Sequence, residues 1–256
     1  MDKIKELLER ELNQISVETG FTRSLLTKDY YITAILYLIK DVQGMLFKGG
    51  TALQKTVLDY SRISEDIDFT LTRPLTSIKK DIIKILDDSK IFGKISKDKD
   101  VSLFTRLIVP YNTQLGKGEI FIDLNEKAKT ITKPEQVSLK HFYPNIPQYR
   151  FLCLSQKEMI AEKIAAAIGR NKPRDHYDIY QIIKEKIPID MKLVQKKCLQ
   201  SGDDPSILKM FNKAKTLYKR WNKDMHPLIV ENITFQEVMK TLADHFKLKE
   251  EKDKKK

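Results

Sequence analysis

The chain has 256 residues, 41% apolar and 32% charged, enough to bury a sizeable core in one large or two small domains and too apolar to be disordered. Its net charge of +12 favours polyanionic partners through screened attraction and counterion release. Two cysteines and four scattered histidines, without metal-ligand spacing, argue against a disulfide framework or a zinc site and point to a reducing cytosol.

Residues 2–18 place Ile4, Leu7, Leu8, Leu12 and Ile15 at a helical period, and the stretch Met1-Asp2-Lys3-Ile4-Lys5-Glu6 lacks a signal-peptide pattern. Lys28 to Asp41 reads as a buried helix capped by Thr27; its apolar run from Tyr30 to Ile39 is too short to span a bilayer, so no membrane partner is expected. Met45-Leu46-Phe47 can end a strand, and Thr51 to about Tyr60 can form a helix. Between them Gly49 and Gly50 allow a positive φ and close approach of backbone to ligand, so free N–H groups at the helix start favour an anion. Thr51 can add a hydroxyl there, and Lys48 is either a counter-charge or a solvated residue.

Eleven residues after Leu53 comes Ser64-Glu65-Asp66-Ile67-Asp68-Phe69, a strand running to Leu71. Alternation puts Asp66, Asp68 and Thr70 on one face and Ile67, Phe69 and Leu71 on the other. The two carboxylates are roughly 7 Å apart, given a rise of about 3.3 Å per residue, and repel unless a proton or cation intervenes. Mg2+ suits them, because it commonly sits on one or two carboxylates plus substrate phosphates.

A helix over Ser77–Ser89 follows, then a hairpin of Leu103–Val109 and Glu119–Leu124 joined by a turn-rich Pro110–Gly118 connection. Asp123 shares a strand face with Glu119 and Phe121 and is the best third carboxylate, for metal and for deprotonating an attacking hydroxyl. The alternative is a charged residue at a strand end, and spacing does not set the register that decides. Arg106 is a weaker candidate for phosphate or nucleotide contact. Pro134, Pro144 and Pro147 mark an irregular link, and from Ser155 nearly everything reads as helix, including Met191–Gln200, Ser206–Trp221 and Thr234–Lys247.

Ser155-Gln156-Lys157-Glu158 is a capping-box signature, and Lys163 then falls on or beside the apolar stripe of the helix it opens. A lysine there either snorkels to solvent or reaches into a cleft. Arg174, Asp175 and Asp178 follow Pro173 in the first turn of another helix; Asp178 is favoured for a site and Asp175 for capping or an arginine contact. Lysines cluster over 192–197 and 213–220; Tyr218 and Trp221 among the latter suit a nucleic-acid face, or the helix is simply solvated.

Gly-Gly-Thr, a helix and Ser-Glu-Asp-Ile-Asp-Phe in this order resemble the polymerase-beta-like nucleotidyltransferase superfamily. More narrowly, with Glu162-Lys163-Ile164-Ala165-Ala166 and Arg170-Asn171-Lys172-Pro173-Arg174-Asp175-His176-Tyr177-Asp178-Ile179, they resemble the AbiEii/AbiGii abortive-infection toxins of toxin–antitoxin systems. The resemblance runs from Leu46 to Ile183. With the element pattern it gives an α+β fold: an α/β lobe over 1–145 and an α-helical lobe over 146–246 with the active cleft between them, while the charge run without apolar content over 247–256 reads as a frayed basic tail. It also implies Mg2+-dependent transfer of a nucleoside monophosphate from an NTP to RNA, most simply the tRNA 3′ end, and an antitoxin encoded nearby. Asp66 and Asp68 would ligate metal; Gly49, Gly50 and Thr51, with Lys48, would hold the triphosphate and Ser64 would line its pocket. Lys163 would contact phosphates, with Arg174 beside it, and Asp175 or Asp178 would complete the site. Rival readings are the same transfer to a protein or small molecule, a silent RNA-binding or antitoxin module of this fold, and transfer of the γ-phosphate. Base preference and oligomeric state have no signature in the chain.

Overall fold

The computed structural model describes Ile4, residues 6–170 and residues 172–253. The chain divides into two compact units, residues 1–155 and 156–256. The first is built on a seven-stranded mixed sheet of order β3-β4-β5-β2-β1-β7-β6. Its strands are β1 (Met45–Lys48), β2 (Asp66–Leu71), β3 (Ser96–Val101), β4 (Phe104–Thr113), β5 (Gly116–Asn125), β6 (Glu135–Ser138) and β7 (Arg150–Cys153). β2 runs parallel to β5 and β1 parallel to β7; the other neighbours are antiparallel.

Among the described residues four helices complete this unit: α1 (Glu9–Thr19), α2 (Arg23–Ile39), α3 (Gly49–Thr56) and α4 (Leu75–Ser89). The β2 alternation holds: Ile67 and Phe69 face Ile122 and Leu124 of β5, and all four are fully buried. α2 and α4 pack on β5 and on each other, with Leu26, Ile32, Ile35, Ile78, Ile82 and Leu86 in the core. The opposite face of β2 is left for Asp66 and Asp68.

Several expected boundaries move. α1 starts at Glu9, because the Glu11 carboxylate accepts the Leu8 N–H (2.8 Å) and ends the helix there; residues 2, 3 and 5 of the periodic run lie outside the described residues. α2 begins after Thr22, so Thr27 is a buried mid-helix residue rather than a cap. The hairpin connection shrinks to Gln114-Leu115, since Pro110 pairs with Glu119 and Thr113 with Gly116. Pro110 is tolerated because a strand residue's N and C=O point to the same side. Its carbonyl accepts from Gly93 N–H (2.8 Å), beyond the last β3 pairing at Ser96, where no ladder donor is required. The proline-marked stretch contributes β6, and the polar, wholly exposed β3 carries no apolar alternation by which to be read.

The second unit is helical: α5 (Gln156–Arg170), α6 (Pro173–Lys184), α7 (Met191–Gln200), α8 (Ala214–Met225), α9 (Phe235–His245) and α10 (Leu248–Asp253). A 3-10 turn over Ile207–Phe211 and a break at 212–213 replace the single helix expected from Ser206. Ile160, Ile164, Tyr177, Ile179, Val194, Leu217, Trp221 and Val238 form its core. The expected frayed tail is helical over α10, and residues 254–256 lie outside the described residues. Among the described residues no helix is long and apolar enough to cross a membrane.

Candidate functional site

Sheet register assembles a cluster of charged residues in the first unit. Asp68 lies directly across from Lys48 on β1 and from Asp123 on β5, and Asp123 lies across from Arg106 on β4. Lys99 of β3 continues the row beyond Arg106. Directly paired residues share a sheet face, so Lys48, Asp68, Asp123, Arg106 and Lys99 form one charged row. In the next row Asp66 pairs with Phe121.

α3 meets this face at its N-terminus. Gly49 has φ +79°, and a Cβ there would overlap the Asp68 carboxylate, 2.8 Å from its Cγ. A Cβ on Gly50 would lie 2.8 Å from Ser64 Oγ and 3.0 Å from Arg62 Nη2. The two glycines therefore let the start of α3 come down onto Asp68 on one side and Ser64 on the other. Thr51 is buried, and its hydroxyl donates to the Asp66 carbonyl, tying α3 to β2 rather than facing outward. Asp66, Asp68 and Lys48 are half-buried, and Ser64 is buried.

Asp123 is engaged more firmly. Arg106 donates from Nε to Oδ1 and from Nη2 to Oδ2, both at 2.7 Å. The guanidinium also lies over the Phe121 ring, 5.4 Å from its centroid, and its Nη1 is 3.9 Å from Asp98. The bonds to Asp123 hold Arg106 above even the ordinary guanidinium range. Among the described residues no three His, Cys, Asp or Glu side chains are gathered to hold a metal. Two carboxylates and adjacent phosphates are nevertheless a sufficient oxygen set for Mg2+, so the Asp66–Asp68 pair fits the ion. Thr70, next along that face, has a buried hydroxyl without a hydrogen-bond partner.

The second unit gathers its own cluster. Lys163 on α5 is 7% exposed and neither snorkels nor stands alone: its Nζ lies 2.8 Å from Asp178 and 3.1 Å from Asp175. Arg170 donates to both Asp175 oxygens at 2.9 Å. Burial alone would raise the Asp175 pKa, but Lys163 and Arg170 outweigh it and hold the carboxyl well below the usual carboxylate range. Arg174 is half-buried in the first turn of α6.

Sequence reasoning overlooked Arg62 and Phe121. Arg62 is 2% exposed, and the period-two run Arg62, Ser64, Asp66, Asp68 held the signal. Alternation puts Phe121 on the Asp123 face, but its pairing with Asp66 and its place under Arg106 come from register. Two basic surface readings are corrected. Trp221 is 2% exposed, packs on Phe235 and donates from its indole to the Ile233 carbonyl (3.3 Å), leaving Tyr218 alone exposed. Lys197 is buried and paired with Glu158 and Glu162.

Strand–turn–helix–strand with paired aspartates on a mixed sheet, and a helical unit carrying a lysine–aspartate cluster, define a nucleotidyltransferase-toxin fold. The family profile described as "Nucleotidyl transferase AbiEii toxin, Type IV TA system" matches residues 34–243, and the chain belongs to that family. It is therefore a nucleotidyltransferase toxin of the AbiEii type. Among solved structures it is similar to MenT4, a nucleotidyltransferase toxin from Mycobacterium tuberculosis H37Rv, at 20% identity and TM-score 0.66, covering 93% of this chain and 89% of that one. It is also similar to JHP933 from Helicobacter pylori, at 19% identity and TM-score 0.64, covering 92% and 96%. A putative nucleotidyltransferase from H. pylori matches at 18% identity and TM-score 0.61, covering 89% and 95%. No curated protein sequence matches the chain.

Proposed function

We propose that this toxin transfers a nucleoside monophosphate from an NTP to the 3′ end of tRNA, releasing pyrophosphate and blocking translation until a cognate antitoxin opposes it. The observation that carries the reading is the Asp68 carboxylate seated against Gly49 at the start of α3, with Asp66 on the same strand face. A phosphate drawn to the helix start would be repelled by the two carboxylates beside it unless a cation joins carboxylate to phosphate. Mg2+, held by Asp66 and Asp68 with the phosphates, would neutralise phosphate charge and stabilise the departing pyrophosphate.

The chain's own groups position the reactants. Gly49 and Gly50 admit the triphosphate to the backbone N–H groups of α3, with Lys48 and Ser64 at its flanks. The second unit carries its own cluster, in which Asp178 and Asp175 orient Lys163 and Asp175 holds Arg170. The acceptor hydroxyl oxygen bonds to the α-phosphorus, that phosphorus parts from the pyrophosphate oxygen, and the hydroxyl proton leaves to the carboxylate face. The net charge of +12 supports a polyanionic acceptor.

The test incubates each of the four NTPs, α-labelled and γ-labelled in parallel, with total RNA, protein and small-molecule fractions and sequences tRNA 3′ ends. Label should enter tRNA, and Asp66→Ala/Asp68→Ala should abolish it without unfolding the chain. Label in protein alone would move the acceptor, and label transferred only from γ-labelled NTP would overturn the chemistry.

A further inference from the structure

Strand order gives the side from which an acceptor reaches Asp66 and Asp68. β1 and the start of α3 lie on one side of β2, and β5, β4 and β3 lie on the other. With the triphosphate at Gly49 and Gly50, pyrophosphate departs on the β1 side of Asp68. Attacking and leaving oxygens stand roughly in line across the phosphorus, so the acceptor hydroxyl arrives over β5.

Two neighbouring rows of side chains wait there. In one, Asp66 pairs with Phe121 and Phe121 with Ile108. In the other, Asp68 pairs with Asp123, Asp123 with Arg106 and Arg106 with Lys99. Both rows lie on the face opposite the core: the alternate residues Leu107, Ile120, Ile122 and Leu124 are fully buried, whereas Phe121, Ile108 and Arg106 are half-buried and Lys99 is exposed. Arg106 gives two of its five N–H donors to Asp123 at 2.7 Å, and this two-point pair fixes the guanidinium in place. Its Nη1 is 3.9 Å from Asp98, and the Nη1 donors have no hydrogen-bond acceptor among the described residues. Further along the face Glu119 and Lys117 offset each other in charge. An apolar row beside a row carrying Arg106 and Lys99 matches the two halves of a nucleotide, a base with a π face and a phosphate.

We propose that this face is the acceptor subsite and that it takes the unpaired 3′ end of an RNA. The terminal base rests on Phe121 and Ile108, and the adjoining phosphates meet Arg106 and Lys99. A π face belongs to every base, so stacking here selects an unpaired end rather than a sequence. A blunt duplex, whose last bases are paired and stacked on each other, cannot lay one on the sheet. The inference rests on the RNA acceptor and on the triphosphate placement proposed above.

The probes are a stem–loop RNA with an unpaired 3′ end, carrying thiouridine as its last nucleotide, and the same RNA with a blunt end. Irradiated with the intact wild-type chain, the unpaired RNA should crosslink to peptides of β4 or β5, identified by mass spectrometry, and the blunt RNA far less. In transfer assays Phe121→Ala should raise KM for the unpaired RNA about tenfold, the scale of one lost base–aromatic stack, with KM for the NTP unchanged. Lys99→Gln should reduce the slope of log affinity against log salt by about 0.7, one phosphate contact to a single strand. Circular dichroism checks that both variants fold, and the wild-type crosslink decides if they do not. Crosslinks confined to other parts of the chain would overturn the inference, as would equal use of the blunt RNA. A Phe121→Ala effect on KM for the NTP alone would also overturn it, giving the face to the donor base. If label enters protein or small molecules and no RNA, the acceptor reading itself fails; if it enters RNA while crosslinks avoid β4 and β5, only the present inference falls.

Discussion

Behind α3 lies a buried ion pair whose removal should be felt through the first unit. Lys55 and Asp29 side chains are 1% and 2% exposed, with Nζ 2.8 Å from Oδ1. Lys55 also donates to Thr33 (2.9 Å) and to Tyr60, while Tyr60 and Tyr143 both donate to Asp29 Oδ2 at 3.0 Å. Burial lowers the Lys55 pKa, with Asp29 acting against the shift. Lys55→Met keeps most of the volume but leaves the Asp29 charge with only hydroxyl partners. Stranding one member of a buried pair costs about 3–5 kcal/mol, and the two tyrosine donors place this case near 3. For a unit of 155 residues that corresponds to a Tm lower by about 6–12 °C. Asp29→Leu/Lys55→Met, which removes both charges, should recover most of the loss, because the desolvation cost vanishes with the attraction. Urea and thermal unfolding of wild type, both single variants and the double variant complete the cycle, with a coupling of about 2–3 kcal/mol expected. A double variant as unstable as the sum of the singles would refute the reasoning.

Other outcomes follow from the same geometry. Gly49→Ala should abolish transfer and destabilise by about 1–2 kcal/mol, through its left-handed backbone alone, before any overlap with Asp68; nucleotide-transfer and unfolding assays read both. Trp221→Ala should cost about 3–5 kcal/mol in urea unfolding, with tRNA affinity of the folded protein unchanged at low temperature, as befits a core residue. Asp175, held below its unfolded pKa of about 3.9, contributes stability that is complete above that value and is lost as pH falls through the lower folded value. Urea midpoints at pH 6 and pH 3 should therefore converge on each other in Asp175→Asn relative to wild type, and equal acid losses in both would exclude the role.

Local pattern was sufficient wherever a few neighbouring residues decide the outcome. The Asp66–Leu71 alternation marks a strand with one apolar face, Met191–Gln200 carries a helical period, and Thr234 with Glu237 closes a capping box at the head of α9. The glycine pair that opens α3 was legible because a turn with positive φ, as Gly49 adopts, favours glycine. Tertiary structure alone settled what depends on partners distant in the chain. Asp123 meets both Asp68 and Arg106 because two strand registers align them, and each register is summed over a whole ladder of backbone bonds. Spacing leaves Lys163 between snorkelling and a cleft and places Lys197 in a basic cluster, yet carboxylates brought by neighbouring helices make the burial of both tolerable. Period and composition state which residue types stand on a face; whether that face meets water, an opposite charge or another side chain is decided by packing.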